Sequence, residues 1–149
     1  MDTTYLLPAI GISIKDLPKD TLVRLMQKGH QISISNISIF ELSAKGAKHV
    51  AAGTLSTERV TRGIRAIVYD ERITVIPMHD SSVLLMAFKF RRLLGDFIDC
   101  LILSSAINQN DAIVTEDEDI QNLKRTKEFR GLLATINPKF KIQTLTDTL

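Results

Sequence analysis

Four short stretches of this chain carry the apolar pattern of strands, and the segments between them carry apolar residues at helical spacing. Gln31–Ser35 (QISIS) alternates with a period of two, as a strand with one buried face does. Ile73–Pro77 (ITVIP) predicts a strand closed by proline, Ala112–Thr115 (AIVT) a short strand of the buried type, and Phe140–Leu145 (FKIQTL) a terminal strand. Leu17–Lys28 places Leu22, Leu25 and Met26 on one helical face, with Gly29 as its C-cap. Asn36 is the predicted N-cap of a helix running through Phe40, Glu41 and Leu42. Ser56–Tyr69 reads as a helix with Glu58 favourably placed in its first turn. Ser82–Leu94 is densely apolar and predicts a largely buried helix ended by Gly95. A further helix starts at Asp96 or Phe97 and runs to Gln109, and Ile120–Phe129 predicts a helix rich in lysine and arginine. Tyr5–Ile14, interrupted by Pro8 and Gly11, reads as an irregular entry or short helix rather than a central strand, because proline lacks the ladder donor.

Strands alternating with helices imply the α/β class, with a mostly parallel sheet covered on both faces. The chain shows no repeat, low-complexity tract or linker, so residues 1–149 are expected to form a single domain. Hydrophobic content of 44% beside 24% charged residues is that of an ordinary globular protein. No apolar run approaches the roughly 18 residues of a membrane span, so no membrane role is expected. The opening MDTTYLLP is acidic rather than basic and does not read as a secretory signal. One cysteine, Cys100, excludes an internal disulfide framework and points to a reducing cytoplasm.

The chemistry lies in the acids. Asp2, Glu41, Asp99 and Asp117 are far apart in sequence, yet each falls where a strand gives way to a loop or helix, or at a helix start. Ligands of open α/β sheets bind at the carboxyl ends of the strands. Carboxylates gathered there repel one another unless a cation joins them, which reads as a divalent-metal site. Taken singly, each acid has a plainer reading. Glu41 serves a helix dipole, Asp96 is an N-cap with Asp99 as its first-turn acid, and Asp119 sits on a solvated face. Asp99 opens the apolar run CLILSSAI, which favours it over Asp96 as a ligand. Asp117 is nearer the strand end than Asp119 and is preferred on that ground. The hydroxyls of Thr3 and Thr4 are placed to hold the Asp2 carboxylate.

Together these stretches, DTTYLLP, ISIFEL, FIDCLILSSA and IVTEDEDI, resemble the PIN domain family of nucleases in order and spacing over almost the whole chain. The resemblance implies a three-layer α/β/α sandwich around a central parallel sheet. It implies metal-binding acids at Asp2, Glu41, Asp99 and Asp117, with Thr3 and Thr115 as supporting hydroxyls and Asp96 and Asp119 as further candidates. It implies cleavage of RNA dependent on Mg²⁺ or Mn²⁺. Small members look like VapC-type toxins, which implies an antitoxin protein as partner, and by analogy such domains pair as homodimers, here through Ser82–Leu94 or Tyr5–Ile14. One departure stands out: the family pattern carries a central strand before its first aspartate, and only Met1 precedes Asp2.

His30, His49 and His79 lack metal-ligand spacing, and Cys100 reads as a small buried hydrophobe. A net charge of +2 is too small to identify a nucleic-acid partner. An acidic site that takes RNA needs a positive rim, for which Arg59, Arg62, Arg65, Lys89, Arg91, Arg92, Lys124, Arg125, Lys127 and Arg130 are the candidates. Low aromatic content (5%) leaves little for base stacking. RNA affinity is therefore expected to fall as salt rises. A filter-binding titration at low and high salt checks this, and an affinity indifferent to salt would remove the rim.

Overall fold

The computed structural model describes residues 1–149. Its strands form two parallel pairs. β1 (Ile32–Ser35) lies beside β2 (Ile73–Ile76) in the register Ile32 to Ile73 through Ser35 to Ile76. β3 (Ala112–Val114) lies beside β4 (Lys141–Gln143) in the register Ala112 to Lys141. The expected central sheet is therefore present as two halves. Between them lie residues 1 and 2: the Met1 amine donates to the Ser33 carbonyl (2.9 Å) and the Asp2 N–H to the Val114 carbonyl (3.1 Å).

The helices mostly follow the apolar spacing, and their ends are set by caps. A 3-10 turn over Thr3–Leu6 leads into α1 (Leu7–Ile10), which Gly11 closes at φ 100°, a left-handed conformation open to glycine. α2 (Thr21–Gln27) starts later than the spacing predicts, where the Thr21 hydroxyl donates to the Pro18 carbonyl (2.7 Å). α3 (Asn36–Ala51) begins one residue from expectation, with Ser35 in the cap position. Asn36 does not cap it; its side-chain oxygen accepts from the Met78 N–H (2.9 Å) and ties down the turn after β2. α4 (Thr57–Val68) is capped by Ser56, whose hydroxyl accepts from the Arg59 N–H. α5 (Ser81–Phe90) stops before Leu94 and buries Val83, Met86, Ala87 and Phe90, but leaves Leu85 and Phe88 about 60% exposed, so its burial is one-sided.

α6 (Phe97–Gln109) is the spine. Asp96 caps it, accepting from the Ile98 N–H (2.7 Å), and every residue from Cys100 to Ile107 is buried. Beyond β3 the single predicted basic helix is in fact two, α7 (Glu118–Asn122) and α8 (Lys127–Ile136), separated by a 3-10 turn and an extended Thr126. β4 ends before Leu145 because Thr144 and Asp147 form a capping box for α9 (Leu145–Thr148).

Two apolar cores result. Leu6, Ile10, Leu25, Ile34, Leu42 and Ile67 join α1 to α4 with β1, whereas Phe90, Leu103, Ile107, Ile113 and Phe129 join α5, α6 and α8 with β3. β2 faces both: Ile73 belongs to the first core and Ile76 to the second. This strand layer between two helical layers is the α/β arrangement the alternation predicts. Tyr5, Leu6, Leu7 and Ile10 are buried within the chain's own core, so the Tyr5–Ile14 stretch offers no apolar face to a second copy. That expectation is corrected here.

The contact between α1 and α4 is tight at Gly63. A Cβ there would stand 2.3 Å from the Ala9 carbonyl oxygen, and backbone cannot rotate away. At Gly46 a Cβ would meet the Val60 side chain instead. Gly63→Ala is expected to cost about 2 kcal/mol or more, and more than Gly46→Ala. Urea denaturation of the two variants checks the order, and equal midpoints would contradict this packing.

Candidate metal centre

The four carboxylates singled out in the sequence, Asp2, Glu41, Asp99 and Asp117, separated by as many as 115 positions, reach one cavity of about 300 Å³, lined also by Thr3, Thr4, Lys45 and a fifth acid, Glu116. Each is delivered by a different element. Asp2 follows the short bridge between the half-sheets, Glu41 lies early in α3, Asp99 in the first turn of α6, and Asp117 just beyond β3.

Hydroxyls and a helix end hold three of the four. Thr3 donates to the Glu41 carboxylate, and Thr115 to Asp2 (2.8 Å). Thr115 also accepts from the Asp117 N–H (3.1 Å), so one buried hydroxyl positions two acids. Asp117 caps α7 by accepting from the Ile120 N–H (2.9 Å). The expectation that Thr3 and Thr4 hold Asp2 is thus corrected: Thr3 turns to Glu41, because Asp2 faces the end of β3.

Asp99 accepts no hydrogen bond and is half-buried. Burial, followed by repulsion from Asp96, Asp117, Asp2 and Glu41, pushes its pKa from 3.8 to about 7. No lysine or arginine bridges any of these acids; the protein's two ion pairs, Arg24–Asp20 and Arg72–Asp70, lie elsewhere.

Asp96 and Asp119 are exposed and do not line the cavity. Asp96 acts as cap and as a nearby charge, and Asp119 sits in the first turn of α7. Lys45 and Glu116 line it without having been singled out in the sequence. Lys45 was within reach of sequence reasoning, since it lies four residues after Glu41 on the same helical face. Glu116 was not, because its role depends on distant partners: it accepts from the Tyr5 hydroxyl (2.8 Å) and the Leu145 N–H (2.9 Å). None of the ten rim cations lines the cavity. Arg59 is spent on the Pro8 and Ala9 carbonyls, Arg91 on Leu94 and Lys124 on Ile142. Cys100 is fully buried, and burial pushes its thiol pKa up, as an inert core residue requires.

An all-oxygen donor set of carboxylates and hydroxyls fits a hard divalent cation. As the side chains stand, no three acids converge closely enough to hold one ion. Glu41, Asp2 and Asp117 each commit one oxygen to a protein donor and keep the other.

A family model of the PIN domain matches residues 1–126, and the chain belongs to that family. Membership places it in a superfamily of nucleases, hydrolases whose substrate is nucleic acid. No curated protein and no solved structure matches the chain. No helix is long and apolar enough to cross a membrane.

The raised pKa of Asp99 fixes a sign. Between its ordinary 3.8 and about 7 the folded, metal-free protein holds a proton that the unfolded chain has released. The contribution of Asp99 to stability therefore falls as pH rises through that window. Asp70 and Asp147, held below the usual carboxylate range, act only at lower pH, whereas the Met1 amine, pushed down from 8.0 to about 6 by burial, works in the opposite direction between those values and is common to wild type and variant. Urea midpoints of metal-free protein at about pH 5 and about pH 8, for wild type and Asp99→Asn, isolate this group. The wild type loses more stability than the variant on raising the pH, and equal slopes would contradict the burial of a charged Asp99.

Proposed function

We propose that the chain is an endoribonuclease that cleaves single-stranded RNA with Mg²⁺ or Mn²⁺, as the toxin of a toxin–antitoxin pair. The observation that carries the reading is the convergence of Asp2, Glu41, Asp99 and Asp117 on one cavity with no cation bridging them. A fold does not retain such repulsion for stability, since an unpaired half-buried acid is destabilising.

Asp2, Asp99 and Asp117 would hold the metal, and Glu41 would complete the set or orient the attacking water. A divalent cation held there supplies Lewis-acid polarisation of the scissile phosphate. Thr3 and Thr115 fix the carboxylates that face the substrate, so the acids need not reorder as it binds. Lys45, the lone cation in the cavity wall, is placed to meet a phosphate oxygen. The exposed Arg62, Arg65, Lys89, Arg92, Arg125, Lys127 and Arg130 remain as a wider positive surface.

We further read residues 1–149 as one domain, since β4 and α8 lie outside the matched segment yet complete the β3 pair and the second core. A homodimer would form through α5, where exposed Phe88 stacks on Phe97 (5.6 Å between centroids) beside exposed Leu85. The lone buried thiol suits the cytoplasm. A second reading, a PIN-like module that binds RNA or a protein with little or no catalysis, is favoured by the unassembled geometry of the acids.

Cleavage of a fluorescent single-stranded RNA with Mg²⁺, Mn²⁺ or EDTA, beside Asp99→Asn, separates the two. Metal-dependent cleavage is expected to fall by about 100-fold or more in the variant, while metal-free stability above pH 7 is unchanged or raised. A folded Asp99→Asn that cleaves normally, or cleavage indifferent to EDTA, would overturn the assignment, and a well-folded protein that binds RNA without cleaving it would favour the binding module.

A further inference from the structure

The second apolar core opens to the surface between α8 and β4. The opening is a groove of about 330 Å³ with Phe129, Leu133, Phe140 and Ile142 as its floor. Phe129, Phe140 and Ile142 are members of that core, and Leu133 packs against it. The three core residues are at most 7% exposed, so the groove is a recess and not a protruding apolar patch. A flat surface does not reach such a floor, whereas a single side chain does.

β4 borders the groove as an outer strand, paired with β3 alone. Lys141 and Gln143 turn their backbone toward β3. The Lys141 N–H donates to the Asp111 carbonyl (2.9 Å), and the Gln143 carbonyl accepts from the Thr115 N–H (3.0 Å). Backbone groups alternate in direction along a strand, so those of Ile142 face outward. Its carbonyl accepts from the Lys124 ammonium (3.2 Å), and its N–H donates to no atom of the chain.

The rim has one sign of charge. Lys124, Arg130 and Lys141 are the charged residues that line the groove, and no acid does. None of the three forms an ion pair. The surrounding segment, residues 124 to 141, carries six cations against the single acid Glu128, in a chain whose net charge is only +2. No residue of the groove lines the acidic cavity, so the two sites are separate.

We propose that this groove binds an acidic segment of a partner polypeptide. One large apolar side chain of the segment seats on Phe129, Leu133, Phe140 and Ile142, and flanking carboxylates meet Arg130 and Lys141. The Ile142 N–H supplies one backbone bond to the segment, as the edge of a sheet does. The rim fixes the sign of the partner's charge, and the recess fixes its apolar anchor. RNA meets only the first of these requirements. A base stacks on an open aromatic face, and the two aromatic residues here offer none, Phe129 being fully buried and Phe140 only 7% exposed.

The inference is independent of the nuclease reading, because it is tested in EDTA and read from the peptide. The probe is the capped peptide Glu-Asp-Leu-Trp-Asp-Glu. The chain has no tryptophan, so indole emission comes from the probe alone. Titration with the full chain is expected to give a saturable blue shift as the indole leaves water. Replacing Arg130→Glu and Lys141→Glu together, both exposed, is expected to weaken binding by about tenfold or more. The same peptide with lysine at its four acidic positions is expected to give no saturable shift, an arm that needs no variant to fold. No saturable shift with the acidic peptide, unchanged affinity in the double variant, or equal binding of the lysine peptide would each overturn the proposal. So would a hexauridylate that binds the wild type more tightly than the peptide, displaces it, and loses affinity in the double variant, since that result assigns the groove to RNA.

Discussion

Mutual repulsion among carboxylates is the force this structure must contain. Asp2, Glu41, Asp99 and Asp117 share one cavity without an ion pair, and Asp99, which has neither a donor nor full solvent, is pushed up to about 7 first by burial and then by the charges of its acidic neighbours. Holding them there takes rigid supports. Asp99 rises from the most buried helix of the protein, so it cannot swing far from its neighbours. Glu41 and Asp2 are each held by a threonine hydroxyl, and Asp117 by its duty at the start of α7. The arrangement is costly to an empty site and matched to one that receives positive charge.

The same supports explain the architecture. α6 packs against α5, β1 and β3, and its Ser105 hydroxyl meets that of Ser35 (3.2 Å) on the first half-sheet. It thus fixes the distance between halves that do not pair directly. Residues 1 and 2 add the second link, and Asp2 has two duties: its N–H bonds to the Val114 carbonyl and its carboxylate enters the acidic cavity.

Much of this was legible in the sequence. The period of two in QISIS and the apolar blocks ITVI and AIV set β1, β2 and β3, and Ser56 and Asp96 marked helix starts, because these signals are local. The four acids could be singled out because each follows a strand or opens a helix. Other features were not local. The split of the basic segment at Thr126 follows from α8 burying Phe129 in the second core. Asn36 was drawn from its cap by Met78, 42 residues away.

By itself, then, the sequence determined the α/β class, the order of elements and which acids stand at their ends, since periodicity and capping act over a few residues. Only the tertiary structure decided that the sheet is two halves. It alone decided that Thr115 rather than Thr3 holds Asp2, that Lys45 rather than the arginine-rich helices reaches the cavity, and that Tyr5–Ile14 is core. These depend on hydrogen bonds and packing between positions up to 113 residues apart, and nothing in a local pattern encodes which distant partner a side chain will meet.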